Sequence, residues 1–241
     1  MSRNKEIPSN WKLPEVITNR LGSSAGRQRV IAEEGHILVV LHQIPKDNAM
    51  HREPLFLWRD ADYKWHSTER GNGIAVLTDY LERYEALEEK LDQQYEKAVN
   101  ASDYFDLLEL VAPVQRSVKN MSNTLQAARE AAGSELIDFR DKAEELQRHF
   151  ELLYIDCKNG LDYAVAKKAE EQSELQKQAL QVGHRLNIIM ALFLPVTAAA
   201  SLLGMNIPHG LETSSPWVFG SVVGIFGALG LVMKYWVTKQ S

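Results

Sequence analysis

Two long stretches near the end of the chain carry no charge, and they constrain the fold more than any other feature. Leu186 to Ile207 holds no Asp, Glu, Lys or Arg, and neither does Ser214 to Met233. A helix crosses a bilayer with roughly 20 apolar residues. The first stretch therefore predicts a transmembrane helix over 186–207, and the second predicts one over 216–237. The link between them, 208–215, is too short for a domain, so the pair reads as a helical hairpin. Arg185, with His184 beside it, precedes the first span, and Lys234 and Lys239 close the second, whereas the loop carries only Glu212. Cations gather on the cytoplasmic side, which places both termini there, in a multi-pass protein of an inner or plasma membrane. Trp217, Tyr235 and Trp236 fall at the expected interfaces. The competing reading, two buried core helices of a soluble protein, does not account for these flanks.

The remainder of the 241 residues reads as a soluble part. The net charge of −5 is well mixed along the chain, with no basic face of the kind nucleic-acid binders carry. A single cysteine, Cys157, rules out an intramolecular disulfide framework. Residues 1–30 are polar and broken by Pro8 and Pro14, and they read as poorly ordered, with no apolar core of a secretory signal. Residues 31–72 are β-rich. His36 to Ile44 is a strand, and Pro54 to Ser67 is a hairpin around Asp60-Ala61-Asp62, giving a sheet of about three strands that needs helices on a face. Residues 73–133 are cytoplasmic helices, one from about Ile74 to Val99 and one capped at Ser102-Asp103 and reaching about Ala132, with Pro113 a point where it can kink.

Ser134 is placed to cap a third helix, the stalk over 134–185. Leu136, Phe139, Ala143, Leu146, Phe150, Leu153, Cys157, Gly160 and Ala164 step by three and four, a heptad-like seam. Continuous to Met205, this helix would be roughly 108 Å long. It needs partners, either the two preceding helices or copies of itself. Histidines His36, His42, His51 and His66 lack metal-ligand spacing, and no Ser-His-Asp or paired-carboxylate arrangement points to an enzyme.

Gly204-Met205-Asn206 closes the first span, after Phe193-Leu194-Pro195-Val196-Thr197. This combination, at the exit of the first of two C-terminal spans and behind a long helix, resembles the CorA superfamily of magnesium transporters, which includes the ZntB zinc transporters. The resemblance is specific over about 180–239, architectural over the middle helices and weak over 1–72. It implies a mainly α membrane protein with a reduced N-terminal α/β domain. The stalk helix would continue into the first span of a funnel-shaped homopentamer. The first span would line a central pore and the second would pack outside it.

The same resemblance marks Asn206, with Gly204 and Met205, as the ion-selecting ring. Magnesium gives up its water reluctantly, and a ring of neutral amide oxygens can hold the hydrated ion without trapping it. Counting inward from Ser201 at about 3.6 residues per turn gives Thr197, Leu194, Met190 and then Leu186 or Asn187, a polar step above apolar ones at Leu194, Met190 and Leu186. Apolar rings block ions by dewetting. Periodicity alone leaves Leu194 and Met190 equally placed to touch lipid or the second span, and the resemblance favours the pore. Pro195 is either a flexing point or a fixed kink. Gly220, Gly224, Gly227 and Gly230 read as packing residues, with Gly220 and Gly224 a close-contact pair.

Glu212 either rings the mouth or is a solvated loop residue, and His209 is a weak pointer to zinc. The reading is passive transport of a divalent cation with no bound cofactor. Magnesium comes first, with zinc, cobalt or nickel open. A signal-regulated pore or effector, and a non-conducting scaffold, are the alternatives.

Overall fold

The computed structural model describes residues 6–22, 24–45, 53–204 and 216–239. The chain divides into two compact units, Met1–Ala166 and Lys167–Ser241.

In the first unit a sheet forms from β1 (Arg29–Glu33), β2 (His36–His42), β3 (Pro54–Arg59) and β4 (Trp65–Ser67). The four strands lie in chain order, each antiparallel to the next. The sheet thus has one strand more than the sequence suggested. β1 escaped notice because it is short, carries Arg29 and Glu33 at its ends and turns on Glu34-Gly35. Both turn residues take left-handed backbone angles, φ 53° and 77°, which suits a two-residue hairpin turn but is unusual for glutamate.

The β3–β4 turn is built on one carboxylate. Asp60 Oδ1 accepts from the backbone N–H of Asp62 (3.0 Å) and Lys64 (2.9 Å), and Oδ2 lies 2.8 Å from His66 Nε2. The bond to His66 is the largest cause, and the Lys64 N–H the next, of an Asp60 pKa held below its ordinary 3.8. A depressed carboxyl stabilises the fold above its unfolded-state value, and that contribution disappears as pH falls through the folded-state value. Asp60→Asn is therefore expected to lower the thermal midpoint at neutral pH. The gap to wild type should close on acidification below about pH 3.8. A gap that persists at the lowest pH would mean the charge is not what holds the turn.

β2 and β3 are buried along nearly their whole length, as strands covered on both faces must be. Ile37, Val39, Leu41, Leu55 and Leu57 face the helices. Leu38, Val40, Phe56 and Trp58 face the other way, against Ile7, Trp11, Ile17 and Ala25. The segment 6–22 is thus a strap across the second face, carrying a short helix α1 (Glu15–Asn19). Over 6–22 this differs from the expectation of a poorly ordered N-terminus, and residues 1–5 lie outside the described residues. Ile7, Trp11 and Ile17 lie too irregularly among prolines to show a period, and they gain partners only from strands distant in sequence.

Helix α2 (Gly73–Lys97) starts where the Asn72 side chain accepts the Ile74 N–H at 3.1 Å. Helix α3 (Ala101–Ala132) runs unbroken through Pro113. Its start lies two residues earlier than expected, because the Asp103 carboxylate reaches back to the N–H groups of Val99 (3.0 Å) and Asn100 (2.9 Å). A 3-10 turn, Gly133–Leu136, then leads directly into α4 (Ile137–Leu203). Ser134 lies inside this turn rather than capping α4. Gly133 supplies the φ of 83° there.

Helix α4 has 67 residues, about 100 Å at 1.5 Å per residue, and neither Gly160 nor Gly183 interrupts it. Leu136 of the 3-10 turn and the α4 seam residues Ala143, Leu146, Phe150, Leu153 and Cys157 are buried in one core with Leu91, Leu107, Val111, Met121 and Leu125. The partners the seam required are α2 and α3 of the same chain. Gly160 lies under the Tyr104 ring, where a Cβ would come within 2.5 Å. Burial first, then the Asp156 and Asp92 carboxylates, pushes the Cys157 thiol up to about 11, so it is inert at neutral pH.

A short polar chain crosses the apolar core. Tyr80 donates to the His42 carbonyl at 2.6 Å. Tyr84 and Ser117 share a hydrogen bond of 3.1 Å, and Gln28 Nε2 donates to the Ser117 carbonyl at 3.0 Å. These bonds tie α2, α3, β2 and the segment before β1 into one register.

Candidate pore-lining face

The second unit contains the end of α4 and helix α5 (Pro216–Lys239). Among the described residues one helix is long and apolar enough to cross a membrane, and Gly220–Trp236 is a shorter apolar stretch. Gly204 donates its N–H to the Ala200 carbonyl at 2.9 Å, closing the last turn of α4. Met205, Asn206, His209 and Glu212 lie outside the described residues.

Within this unit α4 has two distinct faces. Ala191, Pro195 and Ala199, one turn apart, are buried. On α5, Gly230 is buried, and Val222, Phe226 and Gly227 are half-buried. At Gly230 a Cβ would lie 2.6 Å from the Leu192 carbonyl oxygen, so the two backbones touch there. Gly220, Gly224 and Gly227 have nothing within 4 Å of a Cβ position. The close contact expected at Gly220 and Gly224 is therefore not made with α4. It falls at Gly230, the buried glycine of α5, whose Cβ position meets the Leu192 backbone.

The other face carries the residues counted from the sequence. Leu186 (54% exposed), Met190 (46%) and Leu194 (60%) all lie open, as do Thr197 and Ser201. Met190, Leu194, Thr197 and Ser201 share a shallow concavity with Ile189, Phe193 and Ala198. Leu186 is exposed but lies outside it. A single 3.6-residue row misses Ile189, Phe193 and Ala198. A wider arc of about 100°, the width of an ordinary helix face, would have found them.

No residue of this concavity is ionisable. Its polar groups are two hydroxyls. Thr197 Oγ1 donates to the Phe193 carbonyl at 2.9 Å, so its proton is used along the helix and its free lone pairs point outward. An outward-facing hydroxyl in this state accepts hydrogen bonds, which suits the hydrogens of water held around a cation. Among the described residues no group of three or more His, Cys, Asp or Glu is placed to hold a bare metal ion. Glu170, Glu171 and Glu174, earlier on α4, are exposed, and Glu174 pairs with Lys177 at 3.6 Å.

The architecture is a small antiparallel sheet followed by helices, the last two of which are one very long helix and one apolar helix. No family model matches the sequence, and no curated protein matches it. Among solved structures, the chain is similar to the full-length CmaX protein, with a TM-score of 0.56 and 15% identity over 96% of this chain and 82% of that one. The complete CorA magnesium transporter of Methanocaldococcus jannaschii aligns with a TM-score of 0.42 and 13% identity, over 87% of this chain and 78% of that one. The likeness to CmaX shows a shared fold over nearly the whole chain. The long helix followed by an apolar helix, expected at the C-terminal end behind a small sheet, is observed.

Proposed function

We propose that this chain is one subunit of a CorA-like channel that passes hydrated divalent cations down their electrochemical gradient, magnesium first among them. The observation that carries the reading is the two-faced end of α4. Ala191, Pro195 and Ala199 are buried, while Met190, Leu194, Thr197 and Ser201 lie open on another face. An open row of large apolar side chains is costly in water. In a bilayer, with copies of the chain around an axis, the same row lines a pore. Leu186, Met190 and Leu194 then form apolar constrictions, and Thr197 and Ser201 form polar steps nearer the outer end. Asn206, just past Gly204, supplies the amide ring that selects the hydrated ion, and Glu212 stands in the outer loop.

The assembly is a homo-oligomer in the bilayer, and the Gly-Met-Asn resemblance sets its number at five. Both termini are cytoplasmic by the flanking cations. An inside-negative potential drives cations inward, at about 2.3 kcal/mol per charge per 100 mV.

The test is flux of magnesium, and then zinc, into proteoliposomes with an imposed inside-negative potential. Wild type is expected to show potential-dependent uptake, and Asn206→Ala is expected to lose uptake or its preference among ions. Absence of flux for every divalent ion, from folded and oligomeric protein, would overturn the channel reading. Unchanged selectivity in Asn206→Ala would remove the filter from that residue.

A further inference from the structure

The close approach of α5 to α4 falls at a mechanically special point. A proline cannot donate a backbone hydrogen bond, so Pro195 leaves the Ala191 carbonyl without its usual donor in the helix. The turn from Ala191 to Pro195 is therefore the weakest in this part of α4, and helices bend at such turns. Leu192 lies inside that turn. Its carbonyl oxygen is the atom 2.6 Å from a Cβ position at Gly230. The Leu192 carbonyl carbon and Cα also come within 3.4 Å of that position. The residues that flank the turn on the same side, Ala191, Pro195 and Ala199, are all buried, and two of them are alanines that let helices come close. Backbone contacts of this kind recur at helix–helix interfaces through Cα–H groups facing carbonyl oxygens.

We propose that Gly230 is the pivot on which the pore-lining part of α4 bends, and so a gating residue that does not line the pore. This rests on the channel reading above. Leu194 and Met190 lie on the open face of the helix, and Leu192 meets α5. Bending at the Pro195 turn moves the apolar constriction relative to α5, and the Gly230 contact fixes the point about which it moves. A methyl group at residue 230 has no room beside the Leu192 carbonyl. It separates the helices and pushes α4 away from α5, which narrows the constriction. Gly220, Gly224 and Gly227 have open space at their Cβ positions, so the property belongs to residue 230 and not to glycines of α5 in general.

Full-length protein in planar bilayers tests this with wild type, Gly230→Ala, Gly224→Ala and Pro195→Ala. Gly230→Ala is expected to lower open probability about tenfold, as overpacking of a tight contact would, with single-channel conductance and ion preference unchanged. Gly224→Ala is expected to behave as wild type. Pro195→Ala restores the missing donor, stiffens the turn and is expected to slow opening and closing, again without a change in selectivity. A merely structural role for Gly230 would reduce the amount of assembled protein and leave open probability unaltered, and that result overturns the pivot. Loss of selectivity together with conductance in Gly230→Ala would also overturn it. If Gly230→Ala does not assemble, Pro195→Ala decides, and unchanged gating kinetics there overturn the pivot. Absence of current from wild type overturns the channel reading and the pivot with it. Normal wild-type current with wild-type gating in Gly230→Ala overturns the pivot alone.

Discussion

Phe150→Ala is expected to destabilise the N-terminal unit by about 3–5 kcal/mol, the range for removing a buried aromatic side chain. Phe150 is fully buried on the α4 seam, in one core with residues of α2, α3 and the sheet. The surrounding helices cannot close onto the vacated space without breaking their own contacts, so the cavity term adds to the transfer term. Domains are stable by only about 5–15 kcal/mol, so this one change removes a large share. Urea denaturation of the full chain in detergent measures it. Phe150→Leu, which keeps most of the volume, is expected to cost under about 1.5 kcal/mol. A cost below about 1 kcal/mol for the alanine variant would mean that the seam does not pack within the chain.

Trp58→Ala is expected to cost a similar amount, about 3–5 kcal/mol, with a different local signature. The Trp58 ring, 6% exposed, lies 5.4 Å from Trp11, 5.8 Å from His36 and 4.8 Å from His66, centroid to centroid. Its Nε1–H donates to His36 Nδ1 at 3.2 Å. Removing the ring takes away the surface on which the N-terminal strap rests. Trypsin cleavage at Lys12 and Arg20 is therefore expected to accelerate well before the helices unfold. Unaltered protection of those sites, with the fold otherwise weakened, would show that the strap is held by other contacts.

These two residues mark what the sequence discloses and what it hides. Phe150 belongs to a run that repeats every three or four residues, and such a run states its own geometry. The helices and the long α4 were legible for the same reason, whereas the row from Met190 to Ser201 could be counted by period but not assigned to a pore, to lipid or to the second span. Trp58 lies in a strand whose period is masked, because both of its faces are covered. The sequence called for helices on one face only, and nothing local named residues 6–22 as the cover of the other. β1 was hidden by its charged ends and by a glutamate in a left-handed turn. The helix contact at Gly230 was one of four similar glycines in the sequence, and only the facing backbone of Leu192 distinguishes it.

The strand order of the sheet also has a consequence for synthesis. Every strand pairs with its neighbour in sequence, so the sheet is closed by local contacts of the kind that form fast. All four strands and the strap have been made by Ser67, and α2 and α3 by Ala132. Chains grow at about 5–20 residues per second, so several seconds separate the finished sheet from the first uncharged residues after Arg185. The uncharged stretches thus emerge only after the N-terminal unit has had time to bury much of its own apolar surface. Few sticky edges then remain to pair wrongly with those apolar stretches as they appear.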